Sequence, residues 1–125
     1  MAQRRGCAIF ATVLLLGLLH CENVWATTFT VGDDHGWDFS VFGWPPNKDT
    51  TFKAGDVLEF NYDPTKHNVL VVEKLGFDTC EPEPSDIIKK FDSGIDRITL
   101  VKGDNYFICG VPGHCDEMKL AINAL

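Results

Sequence analysis

Alternating apolar and polar residues predict short β-strands along most of the chain after residue 27. In residues 57–62, Leu58, Phe60 and Tyr62 share one side of an extended chain, and the other side carries Glu59 and Asn61. This is the pattern of a half-buried strand. Residues 69–72 are apolar throughout, as expected of a strand buried on both faces. The other clearly bounded predicted strands cover residues 28–31, 95–101, 106–109 and 118–124.

Proline, glycine and polar clusters predict the connections between these strands. Residues 43–49 contain adjacent prolines and cannot form a central strand, residues 75–84 form a long connection, and residues 102–105 form a hairpin turn. A short helix is predicted over Asp86–Phe91, because Ser85 is a suitable N-cap. About seven short strands with this turn spacing predict an all-β fold, a Greek-key antiparallel β-sandwich with a short helical insert.

The first 26 residues have the pattern of a secretory signal peptide. A basic start at residues 1–5 precedes an apolar run over Cys7–Leu19, and Val24–Ala26 places short residues where a signal peptidase cleaves. The apolar run is shorter than the roughly 20 residues that span a bilayer, so a transmembrane anchor is the weaker alternative. We therefore expect cleavage after Ala26, which leaves one exported domain over residues 27–125.

The charge of the predicted mature chain limits its partners. Without the leader it has 9 basic and 17 acidic residues, a net charge of −8. A negative surface repels nucleic acid and anionic membranes, so neither is expected as a partner, whereas a basic partner protein is permitted. The sequence also shows no polar spacer followed by an apolar tail, so we expect no membrane anchor of the glycosylphosphatidylinositol kind, and we expect a monomer.

Three cysteines remain in the predicted mature chain: Cys80, Cys109 and Cys115. An odd number in an exported protein implies that one thiol is reactive, intermolecularly paired or bound to a metal. Two cysteines in an oxidising compartment are expected to pair. The economical assignment is a Cys80–Cys115 disulfide that leaves Cys109 free, and a Cys109–Cys115 disulfide is the alternative.

Residues 106–118 carry the main chemical signal of the sequence. An apolar strand ends at Cys109, a short Gly/Pro loop leads to His114, and Met118 follows four residues later. Thiolate, imidazole and thioether suit copper, and a blue-copper site has two His, one Cys and a weak axial Met. His67, which opens a predicted strand, supplies the second imidazole. The sequence therefore predicts that these four side chains form a metal site.

Other interpretations of the same residues stay open at this point. Zinc also binds Cys and His, and Asp116 or Glu117 is near enough to complete such a site. A Cys–His pair can also act as nucleophile and base, but no orienting partner is evident, so no enzyme is expected. Met118 alone fits simple core packing, and His35, in an Asp/Gly loop, fits a solvated histidine.

Several short motifs are spread over nearly all of residues 28–125. They are Phe-Thr-Val-Gly-Asp at 29–33, Gly-Trp at 36–37, Phe-Lys-Ala-Gly-Asp at 52–56, His-Asn-Val at 67–69, Tyr-Phe-Ile-Cys at 106–109, Pro-Gly-His-Cys at 112–115 and Met-Lys-Leu-Ala at 118–121. This combination resembles the phytocyanins, plant blue-copper proteins with the cupredoxin fold, and most closely their plantacyanin or basic blue protein branch.

The resemblance implies one type 1 copper ion and assigns its ligands. The implied ligands are His67, Cys109, His114 and, in the axial position, Met118. It also implies a disulfide between Cys80 and Cys115. The sequence departs from the family pattern at Asp116–Met118, which is one residue shorter than usual and lacks the glycine before the methionine.

The function that the resemblance implies is one-electron transfer by copper that cycles between Cu(I) and Cu(II). The protein is expected to be secreted and to lie outside the cell, in the apoplast (cell wall), with an unidentified redox partner. The relatives are typically basic and this mature chain is acidic, so a polyanionic cell-wall partner is not carried over from the family, and a basic partner protein is permitted. The alternative function is an extracellular cell-wall or signalling recognition protein in which copper is structural or incidental.

Overall fold

The chain folds as two β-sheets that pack face to face. The structure is a computed structural model that describes residues 2–10 and 20–125, with side chains from residue 25 onward. The strands are β1 (Ala2–Phe10), β2 (His20–Thr30), β3 (Val57–Asn61), β4 (Val69–Val72), β5 (Ile87–Phe91), β6 (Ile95–Thr99), β7 (Gly103–Ile108) and β8 (Lys119–Ala124). The described residues also form one α-helix, α1 (Lys74–Thr79), and three 3-10 turns at Asp33–His35, Phe39–Val41 and Pro84–Asp86.

The two sheets have the strand orders β1-β2-β3-β6 and β5-β4-β7-β8. This arrangement agrees with the predicted all-β sandwich. One pair differs from the predicted antiparallel arrangement, because β2 and β3 run parallel, with Thr28 opposite Val57. A parallel pair needs a long crossover, and residues 31–56 supply it.

The connection between β6 and β7 is not the predicted hairpin turn, so that prediction for residues 102–105 is wrong. β6 pairs with β3 in the first sheet, whereas β7 pairs with β4 and β8 in the second. The chain therefore crosses from one sheet to the other. Asn105 stabilises the crossing, because its side chain accepts a hydrogen bond from the Val101 N–H (3.0 Å) and donates to the carbonyls of Val101 (2.9 Å) and Gly103 (3.0 Å).

The helix predicted over Asp86–Phe91 is also wrong, because strand β5 occupies this segment and pairs with β4. The β-branched residues Ile87 and Ile88 favour extended backbone, and the open edge of β4 supplies hydrogen-bond partners. Ser85 lies in a 3-10 turn just before the strand. The α-helix α1 forms earlier in the chain. It begins one residue before the segment 75–84, for which the sequence predicts only a connection.

The hydrophobic core lies between the two sheets and confirms the predicted inward faces of the strands. Leu58 and Phe60 of β3 are fully buried, and alternate residues of β8 are buried opposite them. Trp37, which precedes β3, is also fully buried. The rings of Trp37 and Phe60 lie 5.1 Å apart and those of Phe60 and Phe107 5.2 Å apart, within the range of favourable aromatic contacts. This aromatic row connects both sheets.

The predicted signal peptide over residues 1–26 stays a prediction. Residues 1 and 11–19, which include most of its apolar run, lie outside the described residues. Among the described residues, β1 pairs antiparallel with the first part of β2, from Ala2 opposite Thr27 to Phe10 opposite His20. None of the helices in the described part of the chain is long and apolar enough to cross a membrane.

Candidate metal centre

The four predicted ligands meet at one end of the second sheet. His67 lies two residues before β4, and Cys109 directly follows β7. β4 and β7 are neighbours, with Leu70 opposite Ile108, so their adjacent ends place these two ligands side by side. The connection from β7 to β8 carries His114, and Met118 directly precedes β8. Residues that are 42 positions apart in the sequence are thereby brought into one site.

Three donor atoms converge closely. The Nδ1 atoms of His67 and His114 are 3.1 Å apart, and the Sγ atom of Cys109 lies 3.8 Å from the first and 3.6 Å from the second. The point equidistant from the three atoms lies about 2.0 Å from each, close to the roughly 2.0–2.3 Å at which imidazole nitrogen and thiolate sulfur bind a metal ion. The three side chains therefore fit one metal ion between them.

Main-chain hydrogen bonds place Met118 at the same end of the protein as the other three ligands. It is fully buried, and its main chain forms hydrogen bonds with the main chains of Cys109 and His114. The Cys109 N–H donates to the Met118 carbonyl (3.0 Å), and the Met118 N–H donates to the His114 carbonyl (3.0 Å). The shortened segment Asp116–Met118 therefore keeps the thioether residue inside the site end of the protein. The burial of Met118 also agrees with packing in the core. A residue that packs in the core can at the same time be a weak axial ligand.

Asn68 ties together the segments that carry the ligands. Its side-chain oxygen accepts a hydrogen bond from the Gly110 N–H (2.6 Å), and its carbonyl accepts one from the Trp37 indole N–H (2.9 Å). A Cβ atom at Gly110 would lie 2.6 Å from Cδ1 of Leu70, closer than packed carbon atoms allow. A larger residue where the chain leaves Cys109 would therefore have to displace the Leu70 side chain.

The pKa of His67 lies below its usual value. Burial of the imidazole is the largest cause, and the neighbouring His114 imidazole lowers the pKa further, whereas Asp38 and Asp63 act in the opposite direction. Neutral imidazole is the form that binds a metal. His67 is therefore in its binding form at neutral pH.

The Cys80–Cys115 disulfide is confirmed, with an S–S distance of 2.02 Å and a Cα–Cα distance of 5.6 Å. Cys109 is a free and buried thiol, so the Cys109–Cys115 alternative is excluded. The disulfide joins the C-terminal end of α1 to the residue directly after His114. It therefore anchors the loop that carries this ligand.

One further expectation and one unexpected contact concern residues other than the ligands. His35 is exposed, as predicted for a solvated loop histidine, and it is not part of the cluster of donor atoms. Phe39 packs against the imidazoles of both His67 and His114. The sequence pattern did not indicate this contact, because Phe39 lies 28 or more positions before either histidine.

A β-sandwich with two imidazoles, one thiolate and one thioether at one end is a blue copper protein of the cupredoxin type. The family model of the plastocyanin-like domain matches residues 37–119. The chain belongs to this family and, within it, to the phytocyanins. His67, Cys109, His114 and Met118 are positioned as the ligands of a type 1 copper site.

Known relatives support this assignment over nearly the whole chain. Chemocyanin of Lilium longiflorum is 46% identical over 99% of this chain and 99% of its own length. Basic blue protein of Cucumis sativus is 49% identical over 78% of this chain and 98% of its own length. The solved structure of cucumber basic protein, a blue copper protein, superposes with a TM-score of 0.72 at 48% identity, over 79% of this chain and all of that chain.

Proposed function

We propose that this protein carries single electrons, with one copper ion held by His67, Cys109, His114 and Met118. Bound copper supplies the change between Cu(I) and Cu(II), and the protein supplies ligands that stay in place as the charge changes. The observation that carries the proposal is the convergence of one sulfur and two Nδ1 atoms within 3.1–3.8 Å of one another. A soft thiolate with two imidazoles favours copper over the carboxylate-binding metals.

A second observation that supports the proposal is that hydrogen bonds fix the ligand-bearing loop between β7 and β8 at its base and near its tip. The Cys109 N–H and the Met118 carbonyl close its base, and the His114 N–H donates to the Val111 carbonyl (3.0 Å) near its tip. Ligands that are held in this way move little when the metal changes charge, which favours fast electron transfer. No substrate chemistry is required, so the proposed carrier is not an enzyme.

We propose that electrons enter and leave through His114. Its side chain is partly exposed, whereas His67, Cys109 and Met118 are 7%, 1% and 0% exposed. A redox partner that approaches this end of the sandwich therefore meets the His114 imidazole before the other ligands.

The proposed carrier works outside the cell, in the apoplast, as a monomer with a basic redox partner. The signal-peptide pattern of residues 1–26 and the Cys80–Cys115 disulfide both fit export into an oxidising compartment. The net charge of −8 on residues 27–125 favours a partner of opposite charge.

The proposal predicts an intense blue absorption band when Cu(II) is added to the reduced apoprotein, because thiolate-to-copper charge transfer requires Cys109. Replacing the thiol in Cys109→Ser is expected to abolish the band. His35→Gln is the matched control, since His35 is exposed and outside the donor cluster, and it is expected to keep the band. Visible absorption and electron paramagnetic resonance spectra measure both outcomes.

A blue band that survives in Cys109→Ser would contradict the ligand set. The same variant separates electron transfer from the alternative role as a recognition protein. If Cys109→Ser lacked the band but kept full biological activity, electron transfer would not be the function, and the recognition role with structural or incidental copper would be favoured.

A further inference from the structure

The ring of Phe39 contacts both histidine ligands of the site. Its centroid lies 5.3 Å from that of His67, with an angle of 82° between the ring planes, and 4.8 Å from that of His114, with an angle of 68°. The two imidazoles lie 5.0 Å apart at 62°. The three rings therefore form a closed cluster with edge-to-face geometry, which aromatic pairs prefer.

The backbone on both sides of Phe39 is anchored. Trp37 and Val41 are buried in the core, at 0% and 1% exposure. The Asp38 carboxylate accepts a hydrogen bond from the Ser40 N–H (2.7 Å) and so caps the 3-10 turn that Phe39 opens. The Phe39 side chain itself is 45% exposed. A fixed backbone thus holds an aromatic ring at the surface, with one side against the imidazoles and the other toward solvent.

We propose that Phe39 is a positioning residue for electron transfer: its ring fixes the planes of the His67 and His114 imidazoles and keeps water from their outer faces. This inference rests on the proposed electron-carrier function, because it concerns the same site. It adds a role for a residue that is not itself a ligand.

Two physical effects follow from such a role. A fixed imidazole cannot rotate when the metal changes charge, so less structural rearrangement accompanies each electron. Exclusion of water also matters, because solvent stabilises the more highly charged Cu(II) state over Cu(I), and the apolar shell around a metal site controls its reduction potential. Loss of the Phe39 ring is therefore expected to lower the reduction potential and to slow electron exchange.

The test compares three variants of the copper-loaded protein. Phe39→Leu keeps an apolar side chain but removes the ring, and Phe39→Tyr keeps the ring. Phe42→Leu is the matched control, because Phe42 lies three residues away on the same segment and is 86% exposed. Phe39→Leu is expected to lower the reduction potential and to slow electron self-exchange about tenfold, as loss of a residue that supports metal ligands does. Phe39→Tyr and Phe42→Leu are both expected to keep the reduction potential and the exchange rate at the wild-type values.

A second readout needs no copper. In the proton NMR spectrum of the apoprotein, the ring current of Phe39 shifts the C–H resonances of the His67 and His114 imidazoles. We expect this shift to disappear in Phe39→Leu and to persist in Phe39→Tyr and Phe42→Leu.

The outcomes separate this inference from the proposed function. If the wild-type protein forms the blue site and Phe39→Leu matches it in histidine resonances, potential and exchange rate, the role of Phe39 is refuted and the carrier function stands. If the wild-type protein forms no blue copper site, the carrier function is refuted and the inference fails with it.

Discussion

Single residues at the metal end of this protein combine ligand chemistry with control of protonation. His67 is the clearest case, because burial and the neighbouring His114 both lower its pKa. In the unfolded chain a histidine has a pKa of about 6.5. As the pH falls through that value, the unfolded apoprotein binds a proton that the folded apoprotein does not. The free energy of unfolding therefore decreases toward acid pH. Well above the pKa that His67 has in the unfolded chain, this destabilising effect disappears.

We predict that the free energy of unfolding of the apoprotein decreases as the pH falls from about 7.5 to about 5.5, the range that begins above the unfolded histidine pKa. His67→Gln is expected to flatten this part of the pH profile, because glutamine does not titrate. Urea denaturation of the metal-free protein at several pH values measures the effect. His35→Gln is the control, and an equal flattening in that variant would assign the pH dependence elsewhere.

The ligand residues were predictable from the sequence because three of them lie within ten positions of one another. Cys109, His114 and Met118 follow a recognisable strand and share a short loop, so chain connectivity alone keeps them close. Phe39 was not predictable as a neighbour of the ligands. Trp37 and Phe39 are both large apolar residues, yet only Trp37 is buried and Phe39 is 45% exposed, because the 3-10 turn directs the second ring to the ligand surface.

At the scale of strands and helices, the alternating patterns were reliable and the pairing partners were not. β3 and β8 each bury one face, and alternation reveals such a face without knowledge of the partner strand. β5 was mistaken for a helix, because its residues are mostly exposed and lack a clear period of two. What makes it a strand is the edge of β4, a non-local contact that its own sequence does not show.

The disulfide is the covalent link between two elements, α1 and the loop that carries His114. It joins two residues with a sequence separation of 35. A cross-link over such a loop reduces the entropy of the unfolded chain, which stabilises the folded protein by about 3–4 kcal/mol. We predict that the double variant Cys80→Ser/Cys115→Ser loses about this much free energy of unfolding. Urea denaturation of the apoprotein measures the loss.

The double variant removes the cross-link without a reductant, so both proteins unfold in the same solution. A matched control is wild-type apoprotein with the disulfide intact, unfolded under the same conditions. An unchanged free energy of unfolding would show that the remaining contacts of the loop already restrict it, and that the cross-link contributes little.

At the scale of the whole molecule, the charge distribution determines which redox partners approach the site. Residues 27–125 carry a net charge of −8. The surface cleft that contains His67 and Phe39 is lined by two carboxylates, Asp38 and Asp63, and by one ammonium group, Lys66, so the carboxylates outnumber the cation there. Negative charge therefore lies beside the site as well as over the whole surface, and it attracts cationic reactants most strongly at low ionic strength.

We predict opposite salt dependences for oppositely charged oxidants of the Cu(I) protein. The oxidation rate with tris(phenanthroline)cobalt(III), a cation, is expected to fall about tenfold between low and high salt, and the rate with hexacyanoferrate(III), an anion, to rise. Stopped-flow absorption of the blue band measures both. Asp63→Asn is expected to weaken the dependence more than Asp104→Asn, which removes the same charge, since Asp104 lies at the opposite end of β7 from Cys109. Equal salt dependences for both oxidants would argue against a basic partner.

The distribution of ligands along the chain also bears on how the protein acquires its metal during synthesis. His67 precedes Cys109 by 42 positions, and the other three ligands follow within residues 109–118. A nascent chain therefore displays only one of the four ligands, His67, until this short segment emerges, and only then do the other three ligands of the site join it. The complete set of four ligands is thus available only after strands β1 to β7 have been made.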